Sequence, residues 1–110
     1  MRTIAESDWK KLRSLKTRVL NQACGRILDA AAQVLENREG REHDAYMHLW
    51  KLLKKEDKLI ALMFDDLRRS TAFYKLAHWH QNGLLTESEL ASFTEETQAI
   101  VRFFNQSAPK

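Results

Sequence analysis

Asn82-Gly83-Leu84-Leu85-Thr86-Glu87-Ser88-Glu89-Leu90 ends one helix and opens the next. Gly83 suits the left-handed position just past a helix terminus, where a Cβ is unfavourable, and Leu84 is placed to fold back on Trp79 in a Schellman turn. Thr86 and Glu89 have capping-box spacing: the threonine hydroxyl accepts from the third helical amide while the glutamate reaches back to the cap amide. Leu85 and Leu90 flank the box as a hydrophobic staple. Two helix ends written into nine residues predict an all-α chain with short connections.

Working outward, the periodicity agrees. Downstream, Leu90, Phe93, Thr97, Ile100, Val101 and Phe104 fall on one helical face, with Glu95, Glu96 and Arg102 largely opposite. Upstream, Tyr46, Leu49, Leu53, Ile60, Met63, Leu67, Tyr74 and Ala77 keep a three-four spacing from a start near Asp44. The charged stretch Lys54-Lys55-Glu56-Asp57-Lys58 interrupts that stripe, so residues 44–82 form either one bent helix or two helices broken near Asp57. Before the polar loop at 37–42, Trp9, Leu12, Leu15, Val19, Ala23, Ile27, Ala30 and Val34 predict a first helix beginning at Thr3 or Ser7, about 45 Å long. The expected fold is an antiparallel up-down bundle of three long helices, or four if the middle one breaks.

Composition bounds the rest. The 110 residues fit a single domain spanning 1–110, and three glycines with one proline leave few turns for a sandwich or barrel. A net charge of +3 is too small to name a partner class. Cys24 is the one cysteine, so the chain holds neither an internal disulfide nor a cysteine-based zinc site, and a reducing, cytoplasmic setting is expected. The first residues lack the apolar stretch of a signal peptide, and no apolar run approaches a membrane span.

The chemistry-bearing residues do not converge. His43 and His48 are five apart and His78 and His80 two apart, and neither spacing puts two ligands on one helix face. Neighbouring Asp65 and Asp66 diverge by about 100° on a helix, so they suit ion pairs with Arg68 or Arg69 better than acid-base chemistry. Neither a nucleophile elbow nor a glycine-rich phosphate loop occurs. No enzyme, cofactor or metal site is expected. Lys16, Glu56 and His78 sit on otherwise apolar arcs, where they either pair with neighbours or reach water.

The apolar residues off the main stripe carry the functional expectation. Met47, Trp50, Leu76 and Trp79 cluster on the far side of the middle helix, and Phe103 lies off the last helix's face. One small core does not shelter two faces of one helix. These five residues are therefore expected at an interface, in a non-catalytic protein that self-associates as a homodimer or binds another protein. The alternative is a nucleic-acid- or ribosome-associated accessory protein whose phosphate-contacting residues are Lys10, Lys11, Arg13, Lys51, Lys54, Lys55 and Lys58.

Overall fold

The computed structural model describes residues 3–107, with the side chain of Ser107 left undescribed. The order is α1 (Glu6–Glu36), α2 (Glu42–Phe64), a 3-10 turn (Arg69–Thr71), α3 (Ala72–Gln81), α4 (Glu87–Ala91) and α5 (Glu95–Ser107). Among the described residues there is no strand. The fold is all-α, as the periodicity predicts. No helix of the described residues is long and apolar enough to cross a membrane.

The opening motif forms as read. Leu84 N–H donates to the Trp79 carbonyl (2.9 Å) and Gly83 N–H to the His80 carbonyl (3.1 Å), the two bonds of a Schellman turn, with Gly83 at φ +69°. Glu89 N–H donates to Thr86 Oγ1 (3.0 Å), and Glu89 Oε1 accepts from Thr86 N–H (2.9 Å). Leu85 and Leu90 are both buried.

Two helices end where periodicity alone runs them on. The middle helix does not break near Asp57; it stops at Phe64, and Asp66 takes φ +57°, a left-handed conformation that aspartate tolerates better than most side chains. The reason lies in α3. Lys75 Nζ donates to the Leu62 carbonyl (2.6 Å), Trp79 Nε1 to the Met63 carbonyl (3.0 Å) and Asp65 N–H to the Ala61 carbonyl (2.9 Å). The Leu62 and Met63 carbonyls thus find donors on the returning helix, while Asp65 N–H, at α2's own end, closes the Ala61 carbonyl. Around the bend, Arg68 pairs with Asp66, while Arg69 makes a two-pronged contact with Glu6 and lies over the Trp9 ring. The last helix is also split: α4 ends at Ala91, and α5 begins at Glu95, directly after Thr94. The number and lengths of the helices therefore depart from three long rods.

The core occupies one end of a molecule 54 Å long and 27 by 24 Å across. Trp9, Leu12, Val19, Phe64, Leu76, Trp79, Leu84, Leu90, Phe93 and Val101 are buried there. The last buried residue of α1 is Ala23, and α2 buries only Met63 and Phe64. Beyond that base, the rest of α1 and most of α2 continue as a two-helix hairpin joined by residues 37–41.

Candidate docking face

The hairpin has two unlike sides. Its seam holds Ile27, Ala30, Val34, Leu49, Leu52 and Ile60, all half-buried. One side carries a groove of mixed character, in which Gln33, Asn37, Arg41, Asp44 and His48 stand beside Val34, Ala45 and Leu52. The other carries a groove lined by Cys24, Ile27, Trp50, Leu53 and Ile60, with Lys54, Glu56, Asp57 and Lys58 along it. Helical spacing extends the second face. Leu28 and Leu35 follow Cys24 at four and eleven residues, and Tyr46, Trp50 and Leu53 fall three or four apart. Leu28 is 65% exposed, Tyr46 67% and Trp50 58%; Leu35 and Leu53 are also exposed. Scattered surface leucines are ordinary, whereas a continuous apolar strip along one face is the mark of an interaction site.

Two helices bury only their mutual seam, which is why this side stays bare. Each helix of such a pair needs an apolar arc wider than the seam to join a further layer. The base supplies a third layer only as far as Ala23 and Met63. It is anchored from the opposite side of α1: Lys11 donates to the Ser92 carbonyl (2.5 Å), Arg18 to the Leu84 carbonyl (3.2 Å) and to Glu89, and Arg26 to the carbonyls of Asn82 (2.6 Å) and Gly83 (2.9 Å). Burial works against ionisation of Glu89, yet the Thr86 amide and Arg18 outweigh it and hold the carboxyl below its ordinary value.

The residues expected at an interface are therefore separated. Met47 and Trp50 lie exposed on the hairpin. Leu76 and Trp79 do not: both are fully buried in the base, and Trp79 stacks at 5.6 Å on Phe64 while its indole N–H closes the end of α2. Continuing the middle helix through the bend put α3 in the wrong phase, which is how two core residues came to share a stripe with Trp50. Phe103 is exposed on α5, in a separate aromatic group with Phe104 and Tyr74.

Of the expected phosphate contacts, Lys11 is already engaged with Ser92 and lies over the Phe93 ring. Lys10, Arg13, Lys51, Lys54, Lys55 and Lys58 are exposed. In the apolar groove, Lys54 and Lys58 stand beside Glu56 and Asp57, so that surface is charge-balanced.

Lys16, Glu56 and His78 are all half-buried. Glu56 lines both the apolar groove and the cleft between α1 and α2 that reaches Asn82 and Leu84. Burial lowers the His78 pKa, with repulsion from Lys75 adding to it, and its ring packs edge-on against Tyr74 at 4.4 Å. His80 bridges Asn105 and Glu87, and this contact, with Arg102 on the other carboxylate oxygen, lowers the Glu87 pKa. Among the described residues, no three His, Cys, Asp or Glu side chains gather as a metal site. Set against known protein families, curated proteins and solved structures, the chain matches none of them.

Proposed function

We propose that this chain is a non-catalytic docking module, whose hairpin face binds a helical protein surface through Leu28, Leu35, Tyr46, Trp50 and Leu53. What supports the reading is the position of Trp50: a large aromatic anchor, 58% exposed, in the middle of an apolar strip on a hairpin that the chain's own base leaves uncovered. Large aromatic anchors such as Trp and Tyr are the side chains that dominate interface energetics. The lone Cys24 and the absence of a membrane-spanning helix among the described residues fit a reducing, cytoplasmic setting.

The test compares tagged wild-type and Trp50→Asp chains expressed at equal levels, with the co-isolated protein quantified, further copies of the chain included. The reading expects the aspartate variant to lose its stoichiometric partner while its circular dichroism stays unchanged. Equal recovery by both chains overturns it. So does tight oligonucleotide binding that depends on Lys54 and Lys58 and weakens steeply with salt, the behaviour of a nucleic-acid-associated accessory protein.

A further inference from the structure

The apolar face of the hairpin has a charge pattern that answers itself. On α2 the strip runs His43, Tyr46, Trp50, Lys54 and Asp57, with Met47 and Leu53 at its margins. Turning a second copy end for end about the level of Trp50 sets each residue a given number of places after Trp50 opposite the one as many places before it. Asp57 then comes level with His43 and Lys54 with the Tyr46 ring, on either side of the paired tryptophans. No like charges are brought together. The Lys54 ammonium near a tyrosine face is an attractive pairing in its own right.

The other helix of the hairpin obeys the same axis. Ile27 and Trp50 line one groove, and Ala30 and Leu52 line another; because the two helices run antiparallel, the level of Trp50 on α1 falls between residues 27 and 32. Rotation about the middle of that span, between residues 29 and 30, sets Leu28 opposite Ala31 and Cys24 opposite Leu35. Large residues there face small ones, which is how packed layers interdigitate. Hairpins laid tip beside tip fare worse. That arrangement puts α2 over the partner's α1 and leaves Lys54 and Asp57 against the uncharged run Asn21-Gln22-Ala23-Cys24-Gly25.

Resting on the docking reading above, we propose that the occupant of this face is a second copy of the chain, its hairpin antiparallel to the first, so that the two hairpins close a four-helix bundle. Closed two-fold symmetry requires a surface complementary to itself, and this strip is one. Facing helices in such bundles pack at 8–10 Å, close enough for the side chains of both strips to interdigitate.

A covalent reporter tests the register. Within one chain, residues 24 and 35 are roughly 16 Å apart along the helix, too far for a disulfide. In the proposed dimer they are opposite each other. The Leu35→Cys chain, mildly oxidised, is expected to run as a covalent dimer through Cys24 of one copy and the introduced thiol of the other. Cys24→Ser combined with Leu35→Cys is expected to remain uncrosslinked. Wild-type protein is expected to sediment at twice 12.9 kDa, and Trp50→Asp at 12.9 kDa. A dimer in which Leu35→Cys fails to crosslink, or crosslinks equally without Cys24, overturns the antiparallel pairing. A wild-type monomer at micromolar concentration overturns the second copy altogether. If that monomer still takes another protein in a Trp50-dependent way, the docking reading stands and only this inference falls.

Discussion

Asp8 and Thr97, 89 residues apart in sequence, share a hydrogen bond of 2.6 Å in which the threonine hydroxyl donates to the buried carboxylate. The same carboxylate accepts from Thr94 Oγ1 (2.6 Å) and from Thr94 N–H (3.1 Å). Asp8 lies in the first turn of α1 and Thr94 directly precedes α5, so one side chain ties the first helix to the last. Replacing Asp8 with alanine strands the buried Thr97 hydroxyl and removes the two bonds that hold the start of α5, through Thr94, to the first helix. The expected cost is about 2–4 kcal/mol, read as a lower urea midpoint at unchanged slope. Thr97→Val, which removes one donor and keeps the shape, is expected to cost less than half as much.

The two tryptophans of interest should separate in stability measurements. Trp79 is wholly enclosed, and it caps the Met63 carbonyl. Its replacement by alanine removes a large buried surface and a helix-end donor, so a loss of about 3–5 kcal/mol is expected. Trp50→Ala is expected to leave the stability of the isolated monomer within about 0.5 kcal/mol of wild type, since exposed positions away from caps and networks contribute little. Equal losses in denaturant titrations performed on monomeric protein would show that Trp50 is structural.

The capping box, the Schellman turn and the staple were legible because each depends on side-chain chemistry at fixed local offsets. So was the first helix, whose apolar repeat is unbroken by proline. The bend at Asp65–Arg68 was not legible. Apolar spacing there runs through in phase, and what ends α2 is a set of donors from Lys75 and Trp79, more than ten residues downstream. The Thr94 break was hidden for the same reason: the threonine's partner is Asp8, at the opposite end of the chain. Met47 and Trp50 were found because an apolar residue outside the stripe is visible locally. Leu76 and Trp79 were misplaced because their phase depended on the unseen bend. Lys11, Arg18 and Arg26 had a signal: seven or eight residues separate them, which puts three long cations on one side of α1.

Those three cations hold the 82–93 segment against the first helix by its carbonyls, and Arg26 does so with two donors. Arg26→Ala is expected to lower stability by about 1 kcal/mol, in the range of hydrogen bonds to charged groups discounted for exposure. Arg26→Lys is expected to recover only part of it, because an ammonium lacks the planar fork that reaches two adjacent carbonyls. Thermal melts of the two variants at low and moderate salt check this.

Acid should act on the fold in two stages. The folded His78 pKa lies below its ordinary 6.5 because burial and Lys75 disfavour the charged ring. The unfolded chain therefore binds that proton first as pH falls, and stability declines from about pH 6.5 downward. Glu6, Glu87 and Glu89 also have folded values below their ordinary 4.5, so their contribution is present above that pH and is lost below it. Melting temperatures measured from pH 8 to pH 3 are expected to show both declines. His78→Gln is expected to flatten the first and leave the second; an unaltered first decline would assign it to another group.

Local opening should follow the same geography as burial. Amide exchange is slow where opening must expose packed core, and fast where a helix relies on a half-open seam. The distal halves of α1 and α2 hold no fully buried residue beyond Ala23 and before Met63, whereas α3 buries Ala72, Leu76, Ala77 and Trp79. In dilute protein, residues 26–36 and 42–56 are therefore expected to exchange well before 72–81. Raising the concentration should slow the hairpin alone, because covering its apolar face adds the layer it lacks, and Trp50→Asp should abolish that concentration dependence. Protection of the hairpin equal to that of α3 at every dilution would mean that the seam alone stabilises it, and the bare face would then need no partner for stability.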